Sequence, residues 1–483
     1  MLFNSWQFLV FLPIVFCIYF ILPKKFRHIF LLAASYFFYM FWNAKLIFLI
    51  LLTTVVAYFG AILINKTTKQ NIKKILLALS ISICLAVLVF FKYFNFMASL
   101  FVDIFNGLAT NKLDYVALNI ILPVGISFYT FQTLSYVIDV YHQKIEVEKN
   151  FFYFALYVSF FPQLVAGPIE RPENLLPQLK QKDSINKDNL IVGLRYILTG
   201  YVKKILIADM VGVFVNNIFN DIYNTNGLLV VIGSMLFSIQ ILGDFAGYSD
   251  IAIGVAKLFN INLMKNFDHP YRANSIKDFW KRWHISLSSW FRDYLYIPLG
   301  GSHCSMFRWA INILIVFLVS GLWHGAALTF VLWGLIHAIY QIVGKLTLKY
   351  RDAFWNKTKI KPVILNIIRV VFTYLLVCFA WIMFRSNSIS EMFCAYKYLF
   401  TSWKFDDAYF ETVKAFLNIN IFNIIVIVSA VVILQFIDKI ADGKINNGLV
   451  RKTSYVVLSW LVILAFLYLS NNDVASNFIY FQF

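Results

Sequence analysis

Several signatures of soluble enzymes are missing from this sequence of 483 residues. It has no HExxH, Walker A or GxSxG segment, so zinc-protease, nucleotide-phosphate and serine-hydrolase chemistry find no support. Cysteines are few, none form a CxxC pair, and most lie in apolar segments: Cys17, Cys84, Cys304, Cys378 and Cys394. This pattern is typical of buried small side chains, and we expect neither a disulfide framework nor a metal site.

Acidic residues are also scarce, with 24 Asp and Glu against 42 Lys and Arg, which gives a net charge of +18. In a soluble protein this balance would suggest nucleic acid as a partner. Here the basic residues cluster in short gaps between apolar blocks. The positive-inside rule and the anionic head groups of membrane lipids explain that distribution. We therefore predict contact with membrane lipid and no nucleic-acid binding.

Long apolar blocks dominate what is present. The chain is 60% hydrophobic and contains 51 Phe, whereas soluble domains are about 45–50% apolar. A spanning helix needs about 20 apolar residues, and four early blocks reach or approach that length: Trp6–Leu22, Ile29–Trp42, Leu46–Ile64 and Ile75–Phe96. The first lacks a basic leader and a cleavage site, so we interpret it as a retained helix. The sequence predicts an all-α polytopic membrane protein.

The basic gaps predict an orientation. Lys24–Arg27, Lys66–Lys74 and Lys345–Lys361 should face the cytoplasm, which places both the N- and the C-terminus outside. No linker, low-complexity tract or internal repeat divides the chain. We therefore predict one membrane domain over residues 1–483, with an aromatic extracytoplasmic tail at 471–483. Val116–Val140 is predicted as a helix interrupted by Pro123 and Gly125.

A basic, aromatic stretch over Tyr271–Gly301 has His284 at its centre. An interfacial amphipathic helix anchored by tryptophans explains its composition. The functional interpretation adds a mouth for a phosphorylated anionic donor such as a coenzyme A thioester. Its candidate donor-binding residues are Lys281, Arg282 and Trp283.

The segment around His324 predicts a membrane hairpin. Trp309–Leu322 would rise about 21 Å, short of a hydrocarbon core of about 30 Å. Leu328–Val343 follows, so His324 should lie near the hairpin tip, deep in the membrane. An ionisable residue there is a functional candidate, although a histidine bonded between helices is the plainer alternative. His337 is 13 residues further on, about 20 Å along a helix, and is predicted to be remote from the tip.

Several long motifs follow one another along the chain: Leu122–Gln132, Ala166–Arg171, Asp244–Asp250, Phe279–Leu287 and Ser320–Gly325. Together they resemble the membrane-bound O-acyltransferase superfamily, and most closely its bacterial branch of alginate and peptidoglycan O-acetylases. The resemblance implies roughly 11–14 membrane helices, including re-entrant segments, around a central tunnel. It assigns the catalytic histidine to His324 and a second functional histidine to His284.

The resemblance also implies substrates and partners. Acetyl-CoA would be the donor substrate, with no tightly bound cofactor, and the site would be in the bacterial inner membrane. The last six residues, Phe478–Phe483, fit an F-x-Y-x-x-F pattern in which Tyr480 would relay the acyl group. An extracytoplasmic SGNH-type partner would then modify a cell-envelope polysaccharide, either peptidoglycan or an alginate-like polymer.

Two alternatives stay open. The first is D-alanyl transfer from a carrier protein for teichoic acid, which the sequence does not separate from acetyl transfer. The second is a transporter of polysaccharide or lipid-linked sugars, because transporters also use broken central helices. Transporters often carry inverted repeats, and the sequence shows none.

Overall fold

The structure, a computed structural model, describes residues 1–108, 112–165, 167–181, 184–358, 360–444 and 448–471. Within these ranges the regular structure is helical and no strand occurs. The α-helices are α1 Trp6–Ile21, α2 Arg27–Met40, α3 Ile47–Lys66, α4 Gln70–Leu108, α5 Ile126–Tyr141, α6 Phe151–Ser159, α7 Phe161–Leu164, α8 Pro172–Lys180, α9 Lys187–Tyr201, α10 Met210–Asn220, α11 Gly227–Leu258, α12 Ile276–Arg282, α13 Ile285–Phe291, α14 Met306–His324, α15 Leu328–Leu346, α16 Leu348–Lys357, α17 Pro362–Arg385, α18 Ile389–Thr401, α19 Asp407–Leu417, α20 Ile421–Ala441 and α21 Gly448–Asn471. The predicted all-α class is confirmed.

Seven helices of the described chain are long and apolar enough to cross a membrane. They are Ala44–Lys66, Gln70–Leu108, Gly227–Leu258, Met306–His324, Leu328–Leu346, Pro362–Arg385 and Ile421–Ala441, and two shorter apolar helices are Trp6–Ile21 and Lys452–Leu464. The chain is therefore a multi-pass membrane protein. The larger predicted helix number and the central tunnel stay predictions.

Helix α17 shows how the sequence suits a lipid environment. One face exposes Ile364, Ile368, Phe372 and Leu375. The other buries Thr373, Val377, Trp381 and Phe384. Both sets recur every three or four residues, so each forms one stripe along the helix. An apolar stripe that stays exposed in the folded chain is the surface that lipid tails cover.

Close contacts divide the chain into two compact units: residues 1–197 with 249–264, and residues 198–248 with 265–483. The predicted single membrane domain stays a prediction. In the first unit α3 packs against α4, α5 and α6. The expected helix over Val116–Val140 is wrong in its first part, because residues 112–123 are not helical and α5 begins only at Ile126.

Asn95 of α4 explains why this segment stays extended. Its side-chain amide donates to the Leu118 carbonyl at 2.9 Å and accepts from the Leu118 N–H at 3.1 Å. These two hydrogen bonds satisfy the main-chain carbonyl and N–H of Leu118, which a helix would otherwise pair. Gly125 then turns the chain with φ of +74°, which favours glycine, and α5 follows.

In the second unit α14 and α15 form the expected hairpin. Helix α14 has 19 residues and rises about 28 Å, more than the 21 Å expected from Trp309–Leu322. Residues 325–327 are not helical, and α15 starts at Leu328. The hairpin is tight because Gly321 lies against the Phe330 carbonyl and Gly334 against the Phe317 carbonyl. A side chain at either glycine would meet backbone, so the glycines permit this approach.

Candidate active site

His324 ends α14 among aromatic rings. The side chain is buried, and its ring centroid is 5.0 Å from that of Trp333 on α15 and 5.5 Å from that of Phe384 on α17. The Trp323 ring is also 5.0 Å away. Three helices of the second unit thus hold this imidazole away from solvent, in surroundings of low polarity.

His284 lies in a sharp turn between α12 and α13. It adopts φ of +44°, a left-handed conformation that is uncommon for a residue with a side chain. Asn266 holds the turn, because its main-chain oxygen accepts from the Ile285 N–H at 2.9 Å and its side-chain oxygen accepts from the Ser286 hydroxyl at 2.6 Å. Local strain of this kind often occurs at functional sites.

The His284 ring is fully buried, 4.6 Å from the Phe245 ring between centroids. Neither of its nitrogens has a hydrogen-bond partner among the described residues. Burial lowers the pKa of His284 to about 3, because an apolar environment penalises the charged imidazolium. The ring is therefore neutral near pH 7, with one N–H donor and one nitrogen acceptor.

The structure brings the two predicted histidines together. The ring centroids of His284 and His324 are 6.3 Å apart, with their planes inclined by 63°. Hydrogen bonds join heavy atoms about 2.7–3.2 Å apart, so a single oxygen atom between the rings could reach both. Two buried imidazoles at this separation can act on one reacting group by general acid–base chemistry.

His337 is nearer to this pair than predicted. Its ring and the ring of His324 each lie 5.0 Å from the Trp333 ring between centroids, so no more than twice that distance separates them. The expectation of about 20 Å is wrong because it assumed one unbroken helix, whereas the chain reverses after His324. Trp280 donates its indole N–H to Nδ1 of His337 at 3.3 Å.

The candidate donor-binding residues are not alike in their surroundings. Lys281 is exposed. Arg282 forms an ion pair with Asp278 at 3.0 Å. Trp283 is fully buried and packs against the rings of Phe279 and Trp381 at 5.5 and 5.1 Å. The three side chains therefore do not form one patch. Tyr480 lies outside the described residues.

A buried charge cluster in the second unit escaped the sequence analysis. Lys204 forms ion pairs of 2.7 Å with both Asp209 and Asp244, and all three side chains are buried. Lys204 and Asp209 lie in a π-helical segment, Val202–Asp209, a distortion that often marks functional positions. The sequence feature that could have revealed this cluster is the presence of charged residues inside apolar blocks, because ionisable residues in spanning segments rarely lack a role.

Two buried imidazoles with ring centroids 6.3 Å apart, in a multi-pass membrane protein, form a candidate acid–base site. Residues 144–386 match the model of the membrane-bound O-acyltransferase family (MBOAT). The chain is similar to the probable alginate O-acetylase AlgI of Pseudomonas aeruginosa, with 35% identity over 84% of this chain and 76% of the relative. It is also similar to the peptidoglycan O-acetyltransferase of Helicobacter pylori, with 36% identity over 81% and 78%.

A more distant similarity links the chain to the teichoic acid D-alanyltransferase of Bacillus subtilis, with 28% identity over 56% of this chain and 70% of the relative. The chain belongs to the membrane-bound O-acyltransferase family, as its motifs indicated. It is an acyltransferase.

Proposed function

We propose that this enzyme moves an acetyl group from cytoplasmic acetyl-CoA across the bacterial inner membrane, for O-acetylation of a cell-envelope polysaccharide. The polysaccharide would be peptidoglycan or an alginate-like polymer. The main support is the buried pair His284 and His324, 6.3 Å apart, in a chain similar to alginate and peptidoglycan O-acetylases. Acetyl-CoA is a substrate in this scheme, and no tightly bound cofactor takes part.

His324 acts as the general base. It takes the proton of the acceptor hydroxyl as that oxygen attacks the thioester carbonyl carbon. The new C–O bond forms and the C–S bond breaks, and the leaving thiolate of coenzyme A recovers the proton from the imidazolium. His284, which burial keeps neutral, orients the thioester by donating its N–H to the carbonyl oxygen.

The donor reaches this pair from the side that bears α12. Lys281 offers an exposed ammonium to the phosphates of coenzyme A. Arg282 is paired with Asp278, so in this scheme it contacts the donor only as a hydrogen-bond donor. Buried Trp283 supports the turn from behind. These three donor-side roles depend on the proposed cytoplasmic position of residues 271–301.

The first acyl acceptor in this scheme is a residue of the C-terminal tail. Tyr480 receives the acetyl group first and passes it to an extracytoplasmic SGNH-type transferase, which modifies the polysaccharide. This relay requires both termini to face outward, as the basic gaps predict. It also requires Tyr480 to reach the histidine pair.

A labelling experiment on the purified full chain tests the proposal. Radiolabelled acetyl-CoA is added in detergent, and free coenzyme A and protein-bound label are measured for wild type, His324→Ala and Tyr480→Phe. We expect label that requires both residues. Label that requires His324 alone would remove the relay and keep the enzyme. Absence of both label and free coenzyme A in the wild type would contradict acetyl-CoA as donor.

D-alanyl transfer is the second candidate, because the similarity to a teichoic acid D-alanyltransferase covers more than half of the chain. The same assay with a D-alanine-loaded carrier protein separates the two. Label from the carrier and none from acetyl-CoA would favour this function.

A further inference from the structure

His337 of α15 is a third buried histidine, beside the pair His284 and His324. Its side chain is fully buried, and its Nδ1 accepts the indole N–H of Trp280 at 3.3 Å. An imidazole nitrogen accepts a hydrogen bond only when it carries no proton, so the ring N–H is on Nε2. A buried polar ring costs more free energy than an apolar one of its size, so a role for its bond to Trp280 is expected.

This hydrogen bond joins the two elements that carry the histidine pair. Trp280 lies on α12, four residues before His284. His337 lies on α15, which forms one hairpin with α14, the helix that ends at His324. Helix α12 also packs against α15. The bond between Trp280 and His337 therefore connects the support of one histidine with the support of the other.

Ring contacts lead from this bond towards His324. The ring of Trp333 lies 5.7 Å from that of Trp280 and 5.0 Å from that of His337, measured between centroids. The His324 ring is also 5.0 Å from the Trp333 ring. Trp333 is fully buried, and in a close-packed interior it moves only when its neighbours move. The placement of His324 thus depends on how Trp280 and His337 are held.

A second set of ring contacts leads towards His284. The Phe279 ring is nearly parallel to the His337 ring, with centroids 6.3 Å apart, and to the Trp283 ring at 5.5 Å. Trp283 is fully buried and directly precedes His284. Its indole N–H has no partner among the described residues, so ring packing without a hydrogen bond holds this side chain. The bond of the neighbouring Trp280 adds the directional constraint that Trp283 lacks.

We propose that His337 is a positioning residue for acyl transfer. By accepting the Trp280 N–H it sets how closely α12 approaches the hairpin, and so how His284 faces His324. The inference rests on the proposed function, since it takes this pair as the reacting site. A misplacement of about 1 Å in a reacting group can lower a rate by about 10²-fold. His337 transfers no proton itself, so another acceptor in the place of Nδ1 should serve.

Two substitutions of similar shape test this role. In His337→Asn the side-chain oxygen takes the place of Nδ1 and can accept the Trp280 N–H, whereas His337→Leu has no acceptor. Trp280→Phe breaks the same bond and keeps an aromatic ring, so it serves if His337→Leu fails to fold. Tyr396→Phe is the matched control, because it removes a hydrogen bond of 2.8 Å from α18 to the Phe379 carbonyl of α17.

The turnover number kcat, the KM for the donor and the melting temperature are measured for the full chain in detergent. We expect His337→Leu and Trp280→Phe each to lower kcat by about 10- to 100-fold, with KM within about twofold of wild type. The double variant should lose no more than either single one, since both remove one bond. His337→Asn should keep kcat within about threefold of wild type. Tyr396→Phe should lower the melting temperature and leave kcat unchanged.

Equal kcat in His337→Asn and His337→Leu, whether low or high, would overturn the proposal. Low values in both would mean that the imidazole itself reacts, and high values in both that the bond has no role in transfer. Each variant is assayed with acetyl-CoA and with a D-alanine-loaded carrier protein. Wild type that uses only the carrier would contradict the proposed donor, and the same comparison with the carrier would still decide the role of His337.

Discussion

At the scale of single residues, two histidines stand out because their chemistry conflicts with their surroundings. His284 is fully buried, and no described residue bonds to its nitrogens. An imidazole buried in this way loses its hydrogen bonds to water, and the fold does not replace them. A substrate group that forms hydrogen bonds with these nitrogens would account for a histidine at this position.

Burial of His284 predicts a pH dependence of stability. Its pKa is about 3 in the folded chain against an ordinary value of 6.5, so below pH 6.5 the unfolded state binds a proton that the folded state does not. Stability is complete above pH 6.5 and is lost as pH falls towards 3, by at most about 1.4 kcal/mol per pH unit. Denaturant unfolding in detergent at pH 7 and pH 5 measures this.

His284→Gln is the comparison for that measurement, because glutamine keeps a polar group but does not titrate. The loss of stability between pH 7 and pH 5 should be smaller in this variant than in wild type. An identical loss in both would mean that His284 is not the group that responds.

Some of these residues could be predicted from the sequence and others could not. His324 stood out because an ionisable residue is conspicuous beside glycines in an apolar segment, and His284 because it is at the centre of a basic, aromatic stretch. The Trp280 bond to His337 joins residues 57 positions apart, and no local pattern encodes such a pair. The proximity of His337 to His324 depends on where the chain reverses, which pattern alone sets poorly.

At the scale of elements, the α14–α15 hairpin positions the site, and two glycines determine how closely its arms pack. Gly334→Ala should lower the free energy of unfolding by about 1–3 kcal/mol, because the added methyl group meets the Phe317 carbonyl. Gly344→Ala on the same helix has open space and should be neutral or slightly stabilising. Thermal unfolding of both variants in detergent measures the difference, and equal melting temperatures would contradict tight packing.

The π-helical segment and α11 are joined by the buried Lys204 cluster. Lys204→Met leaves Asp209 and Asp244 without their shared cation, and losing one partner of a buried pair costs about 3–5 kcal/mol. Lys265→Met removes a half-exposed partner of Asp442 and should cost about 1 kcal/mol or less. Unfolding midpoints test the contrast. Adding Asp209→Asn and Asp244→Asn to Lys204→Met should recover much of the loss.

Element boundaries show where sequence patterns reach their limit. Helix α2 lies within two residues of its expected block, because the apolar run and its basic flank coincide. The segment before α5 is as apolar as a helix, yet Asn95 holds it extended from more than 20 positions away. Composition predicts where a helix can form, and distant side chains decide whether it does.

At the scale of the whole molecule, composition was sufficient to predict the fold class, because a bilayer leaves few alternatives to helices for a chain with such long apolar runs.

The orientation of the chain in the membrane is a separate prediction. In a cysteine-free background, Asp407→Cys should react with a membrane-impermeant maleimide on intact cells. Lys357→Cys should react only after permeabilisation, since it lies in the basic gap Lys345–Lys361. The reverse pattern would contradict the proposed direction of transfer.

The most direct test concerns His324 as the base for acyl transfer. Turnover of acetyl-CoA and its binding affinity are measured together for wild type, His324→Ala and the matched His303→Ala, whose histidine lies in a loop outside the site. His324→Ala should reduce turnover by about 10²- to 10⁴-fold with donor affinity unchanged, whereas His303→Ala should behave as wild type. Turnover of His324→Ala within a few fold of wild type would contradict the assignment.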